Sequence, residues 1–394
     1  METNDGPRKK RRTSKSPSRD EPVRHDILWF LDGNVVLSTK IYLFRVHKSI
    51  LSLHSSVFCD MFQLVGEGSD EEKEENDDVE DSEDSGIAPH NHDVNSDNDT
   101  NADKKLDGDS DSDREAANTC SRKSSLSPEG DTYEGLPLVD LAGEDGEGVS
   151  KLLRAVYERD FYHRDDNSTS LETIVSLLLL STKYNFKHIR TDVIIQISRQ
   201  YPMSLNAFCA LDKQHELFGK TRDKCSMRLL QAAIQADVYA LLPILFYACA
   251  KFPISSVAFN PCKLPEDYME TLVLGKEELE GAINSFVSIF PCSMLKISGA
   301  NECKNKGCAS DGPFFAGNLG ALVGTASLTD IEGERVVEKC FRACRKCRAS
   351  LIKRINEQRE AIWSAVPDFF GYDDWGYLQG KLDGVIAEGR GVRT

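Results

Sequence analysis

Long apolar runs are missing from this 394-residue chain. A membrane-spanning helix needs ~20 mostly apolar residues, and the densest stretch here, around Leu177–Leu180, falls far short. No membrane association is therefore expected. The first residues lack the apolar core of a secretory signal. Twelve cysteines without such a signal point to reduced thiols and not to a disulfide framework, so a soluble nuclear or cytoplasmic protein is expected. Catalytic patterns are lacking as well. There is no glycine-rich phosphate loop, no GxSxG elbow and no paired-histidine metal motif. An enzyme is not expected, and no cofactor is implied apart from the metal question raised by the late cysteines below.

Charge is unevenly spread. The net charge is −16, yet residues 66–134 alone hold 24 Asp/Glu against 6 Lys/Arg. The rest of the chain is close to neutral. A segment reading SDEEKEENDDVEDSEDSG has almost nothing apolar to bury, cannot offset its ordering entropy and is expected to be disordered. It interrupts one folded region, which a surface loop tolerates because closure entropy grows only logarithmically with length. A solvating spacer and a docking strip for a basic partner are both open readings of it.

Residues 1–25 read as a disordered basic tail. Arg8, Lys9, Lys10, Arg11 and Arg12 form a compact cationic cluster, the pattern of a nuclear targeting signal that meets an acidic receptor groove. No aromatic residue sits in the cluster to stack on bases, which disfavours nucleic acid as its partner.

The first folded segment is expected from His25. Val35 and Leu37, then Ile41, Leu43 and Phe44, predict a hairpin turning near Ser38-Thr39-Lys40, with Asp32-Gly33-Asn34 as a preceding turn. His47 should open a helix carrying Ile50, Leu51 and Leu53. Ser55-Ser56 should start a second, with Val57, Phe58, Met61 and Phe62 on one face. After the acidic insertion, Leu136–Leu141 reads as a strand. Val149, Leu152, Leu153, Val156 and Tyr157 give a helical stripe. Thr169-Ser170-Leu171-Glu172 reads as a capping box, and a further helix is predicted from Lys187 to Arg199, ahead of Pro202.

The residues Phe44, Val46, His47, Lys48 and Leu51, followed by Ser55 (or Ser56), Val57, Phe58, Met61 and Phe62, resemble the signature of the BTB/POZ family. Asp32, within WFLDGNVV at 29–36, and the later Tyr184, Phe186 and Ile189 fit the same resemblance. More narrowly, the chain is similar to the expanded BTB set of mushroom-forming fungi. The resemblance covers 26–201 apart from the insertion. It implies an α+β fold, a short β-sheet flanked by helices, acting as a protein–protein interaction module. Implied partners are proteins: a second copy, a cullin scaffold of a ubiquitin ligase, or nuclear regulatory proteins; nucleic acid is not an expected partner. Many animal members carry an extra N-terminal strand and helix that swap between two subunits, and no such element is visible before His25. A histidine alone is no catalytic constellation, and in the family the His47 position packs at a helix start.

Residues 202–394 read as a mostly α-helical C-terminal domain, with stripes at Cys225–Ala236, Asp237–Lys251 and Lys276–Phe290. Pro243 lies early enough in its helix to be tolerated, and no kelch, ankyrin or zinc-finger repeat follows. The late cysteines leave two readings. Cys303, Cys308, Cys344 and Cys347 form a loose zinc-ligand pattern, which with the basic run Arg342–Lys353 would suit a zinc-dependent nucleic-acid binder. Alternatively Val336, Cys340, Cys344, Cys347, Leu351 and Ile355, spaced 4, 4, 3, 4, 4, form one buried stripe of a continuous helix. That helix is expected to stop at Pro367, and the aromatic stretch 368–375 to pack back on the domain.

Overall fold

The computed structural model describes residues 21–66, 131–214, 216–255, 263–298, 324, 326–341 and 343–389, with side chains except at 64–66 and 290–298. The chain divides into two units, 66–130 and the remainder; the described part of the remainder is a mixed α+β fold.

Strands β2 (Val35–Ser38) and β3 (Tyr42–Val46) pair antiparallel, placing Val35 opposite Val46 and Leu37 opposite Phe44. Both the hydroxyl and the amide of Thr39 bond to Tyr42 across the turn. Strand β5 (Leu136–Asp140) joins β2 in parallel, and β4 (Thr132–Tyr133) turns back on β5. Strand β1 (Val23–Trp29) lies parallel to β3, giving the order β1-β3-β2-β5-β4.

Two boundaries differ from the sequence expectation. The basic tail does not extend to residue 25, because Val23, Arg24 and His25 already belong to β1. The insertion does not extend to 134, because Thr132–Tyr133 is strand. Strand β1 escapes pattern reading because its register slips between Arg24 and Trp29. Within that slip, His25 Nδ1 accepts the amides of Ile27 and Leu28, both at 3.2 Å, and so replaces ladder partners. The two sheet edges meet through side chains. Arg24 pairs with Glu134 and lies 4.6 Å over the Trp29 ring, which is T-shaped to Tyr133 at 6.0 Å.

Helices α1 (Lys48–His54) and α2 (Ser56–Gly66) follow β3, then α3 (Gly146–Tyr157), α4 (Leu171–Lys183) and α5 (Lys187–Gln200) follow β5. Asp145 caps α3 by accepting the Gly148 amide at 3.1 Å. The cap of α4 is one residue later than the predicted box. Ser170 accepts from the Thr173 amide, while Glu172 pairs with Lys220.

The helical region holds α6 (Leu205–Asp212), α7 (Arg222–Gln235), α8 (Leu242–Ala250), α9 (Glu266–Ser298), α10 (Gly333–Cys340), α11 (Arg345–Phe369) and α12 (Trp375–Gly389). No sheet was expected here, but β6 (Glu216–Leu217) and β7 (Lys220–Thr221) form a minimal hairpin. Pro243 sits in the first turn of α8.

The predicted continuous cysteine-bearing helix is not formed. It breaks between α10 and α11, with Phe341 in extended backbone and Cys344 as the cap residue of α11. Cys340 is buried, whereas Cys344 and Cys347 are only half-buried, so the six residues do not make one core stripe. Nor does the helix stop at Pro367, which lies inside the last turn of α11. A proline has no amide to give the carbonyl four residues back; that carbonyl, on Trp363, instead accepts the Trp375 indole N–H at 2.7 Å.

The aromatic stretch after α11 packs inward, as expected. Phe370 is buried and stacks on Phe246 at 5.4 Å. It presses on α9 at Gly275, where a Cβ would fall 2.1 Å from its ring. Helix α12 then returns against α5, and α4 packs on α7. One hydrophobic cluster runs from Leu28 to Leu382. Among the described residues no helix is long and apolar enough to cross a membrane.

Candidate functional site

The Phe44–Phe62 segment folds as strand, helix and helix, and its apolar members face inward because each element presents them on one side. Phe44, Val46, Leu51, Phe58 and Phe62 are buried, while Val57 and Met61 are half-buried. Phe58 stacks on Tyr184 at 5.0 Å and meets Phe62 and Phe186 at 5.7 and 6.0 Å. The structure thus brings the two stretches of the resemblance, Phe44–Phe62 and Tyr184–Ile189, into one aromatic nest.

The polar members fix how these elements join. Ser55 decides the Ser55/Ser56 ambiguity: its hydroxyl accepts the Phe58 amide at 3.0 Å, capping α2, and donates to the Tyr184 carbonyl. Ser56 is exposed and accepts from Asn185. The Lys48 amide donates to Asn34 Oδ1 at 2.8 Å, and the Lys48 ammonium lies over the Phe62 ring.

His47 stands at the start of α1 without capping it through its side chain. Its amide donates to the Tyr157 hydroxyl at 2.9 Å. Its Nε2 lies 3.3 Å from the Asp32 carboxylate and its Nδ1 3.5 Å from Tyr157 Oη, the limit of a hydrogen bond. Asp32 is held below the usual carboxylate range, first by a backbone amide and then by His47. Burial pushes the Tyr157 phenol up. The imidazole therefore bridges the Asp32 turn and α3, with both ring nitrogens engaged. In the sequence Tyr157 is one member of an apolar stripe, and no local signal marks its hydroxyl as the partner of His47.

Facing outward from the same two helices are Leu53, 78% exposed, and the exposed Ser49, His54, Asp60 and Gln63, beside half-buried Val57 and Met61. Leu53 is one of several large apolar side chains left open, with Leu31 at 83% and Val23 at 58%.

Elsewhere, a cleft of about 540 Å³ includes Lys213, Lys251, Lys276 and Arg335 in its lining. These four already pair with Glu332, Asp212, Glu280 and Asp330, so the cleft offers no uncompensated cation. Among the described residues no group of three or more metal-capable side chains comes together. Cys344 and Cys347 take the cap and third positions of α11, while Cys303 and Cys308 lie outside the described residues. So do Arg8, Lys9, Lys10, Arg11 and Arg12. No protein-family model matches the chain, and no curated protein or solved structure matches it.

Proposed function

We propose that the chain is a protein–protein interaction adaptor built on a BTB/POZ module, with a cullin-RING ubiquitin ligase as the assembly it serves. One observation carries the reading. The signature residues of Phe44–Phe62 supply the inward face of a strand–helix–helix unit, tied to the Tyr184 segment by Ser55, and leave Leu53 open on the outer face. The folded part of this chain then presents a partner through α1 and α2, and the helical region contributes a second surface. A second copy of the chain is another partner of the same module. Nuclear action as a transcriptional regulator is the companion proposal, motivated by the Arg8–Arg12 cluster.

The test is co-purification of full-length protein with a cullin, alongside a Leu53→Asp variant and an exposed control such as Gln63→Ala. Cullin recovery that is lost with Leu53→Asp and kept with the control supports the adaptor reading. Absence of a cullin from the wild-type preparation removes the ligase assignment. Light scattering on the same preparation decides between one copy and two.

A zinc-dependent reading of the C-terminal cysteines is favoured by one finding: the helix break removes the buried-stripe account of Cys344 and Cys347. Thiolates at such positions suit a soft divalent ion. Zinc content of the purified protein decides it, and zinc retained after Cys303→Ser and Cys308→Ser would remove that ligand set.

A further inference from the structure

The first half of α11 carries cations where an isolated helix disfavours them. Arg345, Lys346 and Arg348 occupy its first turn, followed by Lys353 and Arg354, and all five are exposed. The first turn has no acidic residue and the cap residue, Cys344, makes no side-chain cap hydrogen bond. Positive charge there opposes the helix dipole, which already places about half a positive charge at that end. From 342 to 356 the sequence contains no Asp or Glu. Among the described residues the ion pair these cations make within 4 Å is that of Lys353 with Glu357 at 3.8 Å, both side chains largely in solvent. Such a pair contributes little. Helix α10, packed against this segment, carries exposed Glu334 and Glu338. Read as one continuous helix, this run would be the solvated flank of a core stripe. The break at 341–344 instead sets it at a helix beginning, and gives it a different meaning.

We infer that the N-terminal half of α11 is a docking surface for the phosphate backbone of a nucleic-acid duplex, separate from the α1–α2 face. Charge complementarity points to a polyanion, and the composition of the face selects which kind. Protein interfaces are anchored by aromatic and apolar groups at their centre. Among the described residues none of the large exposed apolar side chains lies between 343 and 360; between Arg348 and Lys353, Ala349 is exposed, Ser350 and Ile352 are half-buried and Leu351 is buried. Backbone phosphates require only cations at suitable spacing. Arg345 to Arg354 spans nine residues, about 13 Å of helix axis, enough to meet successive phosphates. The lack of an aromatic residue in the run, which would stack unpaired bases, selects a duplex over a single strand and predicts no sequence preference.

The experiment measures anisotropy of a labelled duplex with full-length protein across a salt series, for wild type and for a variant combining Arg345→Gln, Lys346→Gln and Arg348→Gln. These side chains are exposed and removing them relieves the dipole conflict, so circular dichroism should be unchanged. Each lost phosphate contact lowers the slope of log affinity against log salt by about 0.9. The triple variant is expected to lose roughly two to three units of slope, equally for unrelated duplex sequences. No duplex binding by the wild type at low salt overturns the proposal. So does a slope unchanged in the variant but lost on replacing Arg8–Arg12, which places binding in the tail. Tighter binding of a poly-glutamate peptide than of the duplex, with the same loss in the variant, overturns it in favour of an acidic protein segment.

Discussion

Ser55 uses one hydroxyl for two bonds that no neighbour can replace. It accepts the Phe58 amide and donates to the Tyr184 carbonyl, in a site that is fully buried. Ser55→Ala leaves a helix cap and a buried carbonyl unmet, and each buried unmet group costs about 1–3 kcal/mol. Denaturant titration should show Ser55→Ala destabilised by about 2–4 kcal/mol, against less than about 0.5 kcal/mol for exposed Ser56→Ala. Equal effects at the two positions would mean that Ser55 is not the link. His25 shows the same economy with a titratable group. Its Nδ1 accepts two amides of β1, so the proton sits on Nε2, 2.9 Å from Ser150 Oγ. Burial pulls its pKa down, against the carboxylates of Asp26, Glu147 and Glu158 and with the help of Arg154. Because the folded value lies below the ordinary 6.5, the neutral ring stabilises the fold above that pH. That contribution is lost as pH falls through the lowered value. An NMR titration should place His25 below 6.5, with the Ile27 and Leu28 amides losing exchange protection in the same step. A His25 midpoint at or above 6.5 would sink this account.

Among the elements, α11 shows how far local pattern reaches. Its proline was expected to end it, and the helix runs through because the freed Trp363 carbonyl finds the Trp375 indole. Trp375→Phe keeps an aromatic ring but removes that donor, so thermal unfolding should report a loss of about 1–3 kcal/mol. A double variant that also carries Pro367→Ala, which restores a backbone amide, should recover part of it. No recovery would assign the loss to packing of the Trp363–Trp375 stack instead. The β2–β3 hairpin and α1 to α5 were legible because their apolar periods are local and unbroken. Strand β1 was not, since a histidine side chain stands in for its ladder. The break before α11 was hidden because the 4, 4, 3, 4, 4 spacing persists in the sequence although α10 folds back on α11, the Gly333 amide donating to Asn356. The Asp32–His47–Tyr157 contact was half legible: His47 marks a helix start in the sequence, but Tyr157 arrives from a helix beyond the insertion.

At the scale of the whole molecule, the sequence suggests a module followed by an appendage, and the packing joins them. The hydrophobic cluster is continuous from Leu28 in the sheet to Leu382 in the last helix. The Trp363 indole donates to Met203 O at the junction of α5 and α6, and buried Arg359 binds the Leu328 carbonyl and Asn356. With α12 laid on α5 and α7 on α4, neither half can lose its fold without uncovering apolar surface of the other, at ~25 cal/mol for each Å². Cooperative unfolding across that boundary follows. The three tryptophans are placed to test it, Trp29 in the sheet and Trp363 and Trp375 in the helical region. Trp29→Phe leaves fluorescence reporting only the helical region. In the wild type, near-ultraviolet and far-ultraviolet circular dichroism report the whole molecule. Coincident midpoints and slopes across the fluorescence and dichroism curves, after correction for the stability of the variant, are expected of one cooperative unit. A helical-region transition well separated from the rest would mean that α12 and α7 rest on the sheet-bearing half without sharing its stability.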